Sequence, residues 1–360
     1  MDTVDKVGVC FFVGLSDRAG RPSEDVAMAA DLGFRHFFTS MQMARSDLEG
    51  AIDEFRVIVQ LAKQRGLRLI GDISPRAFQR FGASVDNLSP FAELGLSVLR
   101  VDFGFNAGQI ARMVQNPFGL EIMINATGVS EQSLAGLEQA GLSLAGRLAG
   151  HNYYGGKEAG VSLREVERAA TLLHHRGAVV QAFVASQQPE RLPGYQGLAT
   201  MERQRTLPVG RAAMELFVRG VADMVFIGDP VSRPEELRAL LEVAASPHLR
   251  LRMALEADAT DAERMVVLGR HRTRGADFEV CWRLLPRVAS AGGSAIPDRA
   301  PCSRPRGAIY VYPRLSGEVR IAKTDLPPEA KAHVLGHIVA EDLPLLDLLG
   351  QKAEFELLPA

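Results

Sequence analysis

Gly66-Leu67-Arg68-Leu69-Ile70-Gly71-Asp72-Ile73-Ser74-Pro75 carries three signals in ten residues. A glycine stops a helix, a short apolar run reads as a strand, and the run ends on polar residues where the chain turns away. The same order recurs from Gly95, where Val98-Leu99-Arg100-Val101-Asp102-Phe103 again closes an apolar run on a carboxylate. Working outward, eight such runs are found: Gly8-Val13, Phe34-Ser40, Arg68-Ser74, Val98-Phe103, Glu121-Ala126, Leu144-His151, Val179-Ala185 and Met224-Gly228. Helical segments lie near 23–32, 46–65, 87–94, 106–115, 130–140, 162–176, 208–219 and 233–245. Ser23, Ser130, Ser162 (with Glu165 in capping-box spacing) and Pro234 mark helix starts, and Gly33, Gly66, Gly95, Gly141, Gly177 and Gly220 mark stops before strands. An open doubly wound sheet shows a similar alternation, but no GxGxxG follows the first run, and eight strand–helix pairs favour closure. Residues 1–246 are therefore expected to form a (β/α)8 TIM barrel.

After Pro247 the pattern shifts to short alternating segments: Arg250-Leu255, Met265-Leu268, Ile309-Tyr312, Val319-Lys323 and Glu354-Leu358. A small β-rich domain over 247–360 is expected, with Ser290-Gly307 as a long loop inside it. The length suits one large barrel plus a companion, and 47% hydrophobic residues suffice for a buried core. Forty-one basic residues against 43 acidic ones, without long runs of either sign, exclude a nucleic-acid or anionic-membrane footprint and favour a polar small molecule. Cys10, Cys281 and Cys302 form no CxxC pair, which speaks against a disulfide framework or zinc site and for a reducing, cytoplasmic setting. The apolar run Val7 to Leu15 follows Asp2 and Asp5 and lacks a small-x-small cleavage site, so it reads as a first strand and not a signal peptide. No run approaches the roughly 20 apolar residues of a membrane span.

In a barrel of this class, chemistry gathers where the strands end at their C-terminal face. Asp72 and Asp102 interrupt apolar strands, where a lone carboxylate is costly to bury, so each requires either a ligand or a buried partner such as Arg100, Arg68 or Arg147. His151-Asn152-Tyr153-Tyr154 sets a titratable ring, an amide and two phenols in succession, suited to a polyhydroxylated ring, although period-two alternation lets only two of the four face inward. The competing reading is an aromatic cluster that caps the core. Asn125 ends strand 5, and Gly228-Asp229-Pro230 ends strand 8 as either a binding carboxylate or turn chemistry. By composition, Glu158 and Glu202 are solvated loop carboxylates. Arg205 or Arg233 stands where a helix N-terminus could hold a phosphate. No HxH, HExxH or GxSxG is present, so no metal, cofactor or serine triad is expected.

Taken together, Asp72-Ile73-Ser74-Pro75, Arg100 to Phe105, Asn125-Ala126, His151-Asn152-Tyr153-Tyr154, Gly194-Tyr195-Gln196-Gly197-Leu198 with Glu202 and Arg205, and Ile227-Gly228-Asp229-Pro230 resemble the bacterial 6-phospho-N-acetylmuramidase family. The likeness continues through Lys323-Thr324-Asp325-Leu326-Pro327 and Glu341-Asp342-Leu343-Pro344-Leu345-Leu346, and so covers essentially the whole chain. The resemblance implies a C-terminal cyclophilin-like β domain that contributes to or covers the active site. It also implies cytoplasmic hydrolysis of a 6-phosphorylated N-acetylmuramyl disaccharide in peptidoglycan recycling. It singles out Asp72, Asp102, Asn125, His151, Asn152, Tyr154, Glu158, Glu202 and Asp229. Asp72 and Asp102 are the first catalytic candidates, with Glu202 or Glu158 as the loop-borne alternative, and Asn125, His151, Asn152, Tyr153, Tyr154, Glu158, Arg205 and Asp229 are the substrate-binding candidates. The chain departs from the family at Gly155-Gly156-Lys157-Glu158-Ala159-Gly160, where Gly156 stands in place of an arginine. It departs again in the second domain at Phe278 to Arg283 and Val311 to Gly317. The expected mechanism is two-carboxylate glycoside hydrolysis. A sugar-phosphate lyase or isomerase on the same barrel, or a non-hydrolysing sugar-binding or regulatory protein, are the alternatives. The expected partner is a small sugar, phosphorylated or not, with no nucleic acid or membrane, and a homo-oligomer is compatible with the sequence.

Overall fold

The computed structural model describes residues 1–13, 22–41, 48–188, 197–230, 232–285, 301–312 and 318–360. Gly194-Tyr195-Gln196, the 290–300 part of the long loop and the segment 313–317 lie outside them. The chain divides into two units, Met1–Ser246 and Pro247–Ala360.

The first unit is a closed barrel of eight parallel strands in sequence order: β1 (Val7–Cys10), β2 (His36–Ser40), β3 (Arg68–Ile73), β4 (Val98–Val101), β5 (Glu121–Asn125), β6 (Leu148–Gly150), β7 (Val179–Val184) and β8 (Met224–Ile227). Closure is made by β1 and β8, with Gly8 opposite Phe226. The intervening helices are α1 (Pro22–Asp31), α2 (Leu48–Arg65), α3 (Pro75–Phe81), α4 (Ser89–Glu93), α5 (Ala107–Val114), α6 (Glu131–Gln139), α7 (Leu163–His174), α8 (Val209–Val218) and α9 (Pro234–Ala245). All six glycines read as helix stops have positive φ. Two segments differ from expectation. Helix α3 starts directly at Pro75, because Ser74 at the N-cap and Pro at the first helical position favour an immediate helix over a loop. The sixth strand is confined to three residues, since Gly146 at φ 72° breaks the run that begins at Leu144.

Alternation sorts each strand into an inner and an outer face. Phe38, Ile70, Val98, Met123, Leu148, Phe183 and Phe226 fill the barrel interior, and Phe183 meets Phe38 and Phe226 edge-on with ring centroids 5.2 and 6.1 Å apart. Ile124, Ala149 and Val180 face outward against Leu134, Leu137, Ala169 and Leu173 of α6 and α7. These two faces decide which polar residue reaches the barrel mouth.

The second unit is a closed barrel of seven strands: β9 (Leu249–Leu255), β10 (Gly269–Thr273), β11 (Cys281–Leu285), β12 (Ala308–Tyr312), β13 (Glu318–Ala322), β14 (His333–Ile338) and β15 (Glu354–Pro359), in the order β10-β11-β13-β12-β14-β9-β15. The segment Met265-Leu268, expected as strand-like, instead ends α10 (Asp261–Val267). Thr260 and Glu263 form a reciprocal capping box that starts this helix. No helix of the described residues is long and apolar enough to cross a membrane.

Candidate active site

Inner-face positions at the C-terminal ends of β3 to β6 follow from the core residues by steps of two. Ile70 leads to Asp72, Val98 to Arg100 and Asp102, Met123 to Asn125, and Leu148 to Gly150 and Asn152. Arg100 is buried, and its Cα pairs in register with that of Asp72 on the neighbouring strand. Its guanidinium organises this end of the barrel. Nη1 donates to Asp72 Oδ1 at 2.7 Å and to Asp102 Oδ1 at 3.4 Å. Nη2 donates to Asn125 Oδ1 at 3.3 Å, to the Gly150 carbonyl at 3.2 Å and to Asn152 Oδ1, while Nε reaches the same carbonyl at 3.3 Å. Four side chains from four strand ends thus converge on one cation. Asn125 completes the array, since its Nδ2 donates to the Asp102 carbonyl at 3.1 Å and its Oδ1 accepts from the Thr127 N–H at 2.9 Å.

The two aspartates differ. Asp72 makes the short contact, and its side chain is 9% exposed. Asp102 makes the long one and is 19% exposed, so it is the more accessible carboxylate. Among the described residues the Asn152 side-chain NH2 has no hydrogen-bond partner; its backbone N–H donates to Thr127 Oγ1 at 2.9 Å. Two carboxylates, one guanidinium and an amide with an unused donor form a polar floor fitted to a hydroxylated ligand.

The run at 151–154 splits. His151, two residues beyond outward-facing Ala149, lies on the strand–helix side, where Nδ1 meets Thr127 Oγ1 at 3.1 Å and Nε2 is buried with no hydrogen-bond partner among the described residues. Burial, then the Arg100 charge, lowers its pKa to about 4, with Glu165 of α7 opposing. It is thus a neutral buried histidine, not a group in the bowl as expected. Tyr153 packs on Phe12, Phe38 and Phe183 at 6.1, 5.9 and 5.1 Å, and its hydroxyl bonds Ser40. Burial, then the charges of Asp72 and Cys10, pushes that phenol up. It caps the core, as the competing reading held. Tyr154 is half-buried and bridges by its backbone to Ala199 at 3.0 Å.

Glu202 and Arg205 form a clip. Arg205 Nε and Nη2 grip the Glu202 carboxylate at 2.9 and 2.6 Å, and Nη1 donates to the carbonyls of Tyr154 at 2.7 Å and Gly197 at 2.6 Å. Glu202 Oε2 also accepts from Gly160 N–H at 2.9 Å. The Arg205 guanidinium, followed by the Gly160 and Glu158 backbone N–H groups, holds Glu202 down at about 2 against the pull of desolvation. An ionised carboxylate suits the base or nucleophile role of a two-carboxylate pair and not the acid role. Four of the five N–H donors of Arg205 are spent, so it is not the anion grip it was expected to be. The clip instead joins the loops after β6 and β7. Gly160 permits it, because a Cβ there would fall 2.5 Å from the Glu202 nitrogen. Glu158 is exposed, with φ of 62°. Asp229, expected to bind substrate, commits Oδ2 to the N–H groups of Ser186 at 2.8 Å and Leu198 at 3.1 Å. Arg100, at the centre of the array, was read from sequence only as a partner for the aspartates. Its signal was a charge at an inward step of an apolar strand. Gln181, fully buried at the matching place in β7 with Oε1 unsatisfied among the described residues, gives the same signal. Among the described residues no group of three or more His, Cys, Asp or Glu is placed to hold a metal.

The family description "6-phospho-N-acetylmuramidase, N-terminal" matches residues 7–242, and its C-terminal counterpart matches residues 249–358. Among solved structures, an uncharacterized protein of B. cereus is 26% identical, with a TM-score of 0.83 over 98% of this chain and 99% of its own. A conserved Enterococcus faecalis protein of unknown function is 25% identical, with a TM-score of 0.71 over 98% of this chain and 96% of its own. No curated protein matches the sequence.

Proposed function

Because the chain belongs to the 6-phospho-N-acetylmuramidase family, a family of glycosidases, we propose that it cleaves the glycosidic bond of a 6-phosphorylated N-acetylmuramyl disaccharide or a closely related cell-wall sugar, in the cytoplasm, during peptidoglycan recycling. The observation that carries this reading is the array around Arg100, which presents two carboxylates side by side at the barrel mouth. Asp102, the more exposed of the pair and the farther from Arg100, moves the proton at the glycosidic oxygen. Asp72, fixed at 2.7 Å from Arg100, faces the anomeric carbon as its charge develops. Two oxygens held by one nitrogen at 2.7 and 3.4 Å are at most about 6 Å apart, nearer the spacing of retaining pairs than the roughly 6.5–9.5 Å that admits a water. Retention of anomeric configuration is therefore the proposed outcome. The Asn152 NH2 is the donor to a sugar hydroxyl or acetamido oxygen.

The test is incubation with the phosphorylated and unphosphorylated disaccharides, with products and their first-formed anomer followed by NMR. Cleavage of the phosphorylated sugar with retention supports the full reading. Equal cleavage of both removes the phosphate requirement. Tight binding with no product over long incubation refutes hydrolysis and leaves a sugar-binding protein. The replacement of the family's arginine by Gly156 makes the comparison between the two sugars decisive, because that change displaces or removes a positive charge in the loop after β6, where Lys157 follows.

A further inference from the structure

The second unit carries a charge arrangement of its own. Glu318, buried to 1% exposure, is shared by three arginines: Arg274 Nη1 at 3.0 Å, Arg283 Nε at 2.5 Å and Arg320 Nη2 at 3.1 Å. One carboxylate cannot balance three guanidiniums, and a fourth cation, Lys323, is matched by Asp277 at 2.6 Å. Among these six groups two positive charges remain uncompensated. Arg274 and Arg283 line a cavity of about 300 Å³. Each reaches Glu318 through a single nitrogen, so their other guanidinium N–H groups have no partner among the described residues. The same cavity is walled by Phe278, which lies under the Arg283 guanidinium at 4.8 Å, and by Trp282, whose ring is 5.3 Å from Lys323 Nζ. Trp282 Nε1 is tied to the Leu349 carbonyl at 2.8 Å and Lys323 to the Phe278 carbonyl, so the wall is braced.

We infer that this cavity binds a small phosphate monoester through Arg274 and Arg283, with the organic part against Phe278 and Trp282. A phosphate monoester carries a charge of about −1.5 to −2 at neutral pH, opposite in sign to this excess. Guanidinium forks match its oxygens with paired, charge-assisted N–H donors. The volume stands at the small end of ligand cavities and fits a molecule of monosaccharide size. Aromatic walls offer a face for an apolar ring surface, and the buried Glu318 holds the arginines in place before the ligand arrives. The inference concerns the second unit alone and does not depend on what the barrel hydrolyses.

Trp282 is the one tryptophan of the chain, so its fluorescence reports this cavity directly. The intact protein is titrated with glucose 6-phosphate, inorganic phosphate and glucose, at constant ionic strength set with chloride. A saturable fluorescence change with glucose 6-phosphate, weaker with phosphate and absent with glucose, is the expected result. Arg274→Gln and Arg283→Gln should each weaken it roughly tenfold, the loss typical of one charge-assisted contact, whereas Asp102→Asn at the barrel should leave it unchanged. Circular dichroism checks that each variant is folded, and Arg274→Lys, which keeps the charge but loses the fork, should weaken binding by an intermediate factor. No saturable change, a response equal to that of glucose, or unaltered affinity in both folded glutamine variants would overturn the site. A response lost in Asp102→Asn but kept in both arginine variants would assign the binding to the barrel and equally overturn it.

Discussion

Replacing Arg100 with Met removes the one cation that touches Asp72, Asp102, Asn125 and Asn152 at once. Met keeps much of the side-chain volume, so packing at the mouth changes little and the effect is mainly electrostatic. Asp72 then keeps its buried charge, a side chain 9% exposed, without its 2.7 Å partner. Truncating one member of such a buried pair costs about 3–5 kcal/mol, because the remaining charge loses its guanidinium in a site poor in water. At the few degrees per kcal/mol usual for a domain of this size, the barrel should melt on the order of 10 °C lower. Circular dichroism at 222 nm follows mainly this unit, since α1 to α9 belong to it, whereas the second has among the described residues the α-helix α10 and a 3-10 stretch, Ala340–Leu348. Adding Asp72→Asn to Arg100→Met removes the buried negative charge that has lost this cation and should restore about 2 kcal/mol, a coupling expected of residues in direct contact. The double variant should remain inactive. If Arg100→Met costs under about 1 kcal/mol, or if the second substitution destabilises further, the pair behaves as a solvated one and the central role of Arg100 is wrong.

Asp102→Asn should lower turnover by roughly a thousandfold or more while leaving the melting temperature within a few degrees, as expected for the group that moves the proton; near-normal turnover would remove it from the site. His151, with its folded pKa lowered to about 4, binds fewer protons than the unfolded chain below its ordinary value of 6.5. Barrel stability should therefore fall as pH drops from 6.5 towards 4, by on the order of 3 kcal/mol from this residue, and His151→Gln should flatten that part of the melting-temperature profile. His36 has the same direction and size of shift, so the slope should be reduced and not abolished; an unchanged profile would refute the assignment. Glu202→Gln breaks the grip on Arg205 and should speed amide hydrogen exchange at Gly160 and Tyr154, whose N–H groups donate to Glu202 and to the Ala199 carbonyl, leaving the barrel core protected, whereas unchanged exchange at both would mean the clip does not hold these loops.

Much of the barrel was legible because its signals are local. Strand periodicity, the Ser162 and Pro234 helix starts and the six glycine stops depend on a few neighbouring residues and on backbone sterics that act the same way in any context. Where the reading slipped, a stronger local signal had been undervalued. Ser74-Pro75 starts a helix at once, Gly146 shortens β6, and Thr260 with Glu263 turns an apolar stretch into α10.

For the site, the sequence by itself determined which residue types gather at the strand ends, because strand polarity and alternation send Asp72, Asp102, Asn125 and Asn152 to one mouth. Only the tertiary structure decided what each then meets. His151 stands beside Asn152 in sequence yet lies behind the sheet, and Tyr153 turns down onto the core. Glu202, a catalytic candidate by resemblance, and Asp229, a binding candidate, are engaged by Arg205 and by backbone N–H groups of the loop after β7. Arg100, unremarked as a ligand-site residue, holds the array together across contacts of up to 52 residues in sequence. A carboxylate's role depends on its partners, and partners brought together by barrel closure leave no periodic trace in the chain.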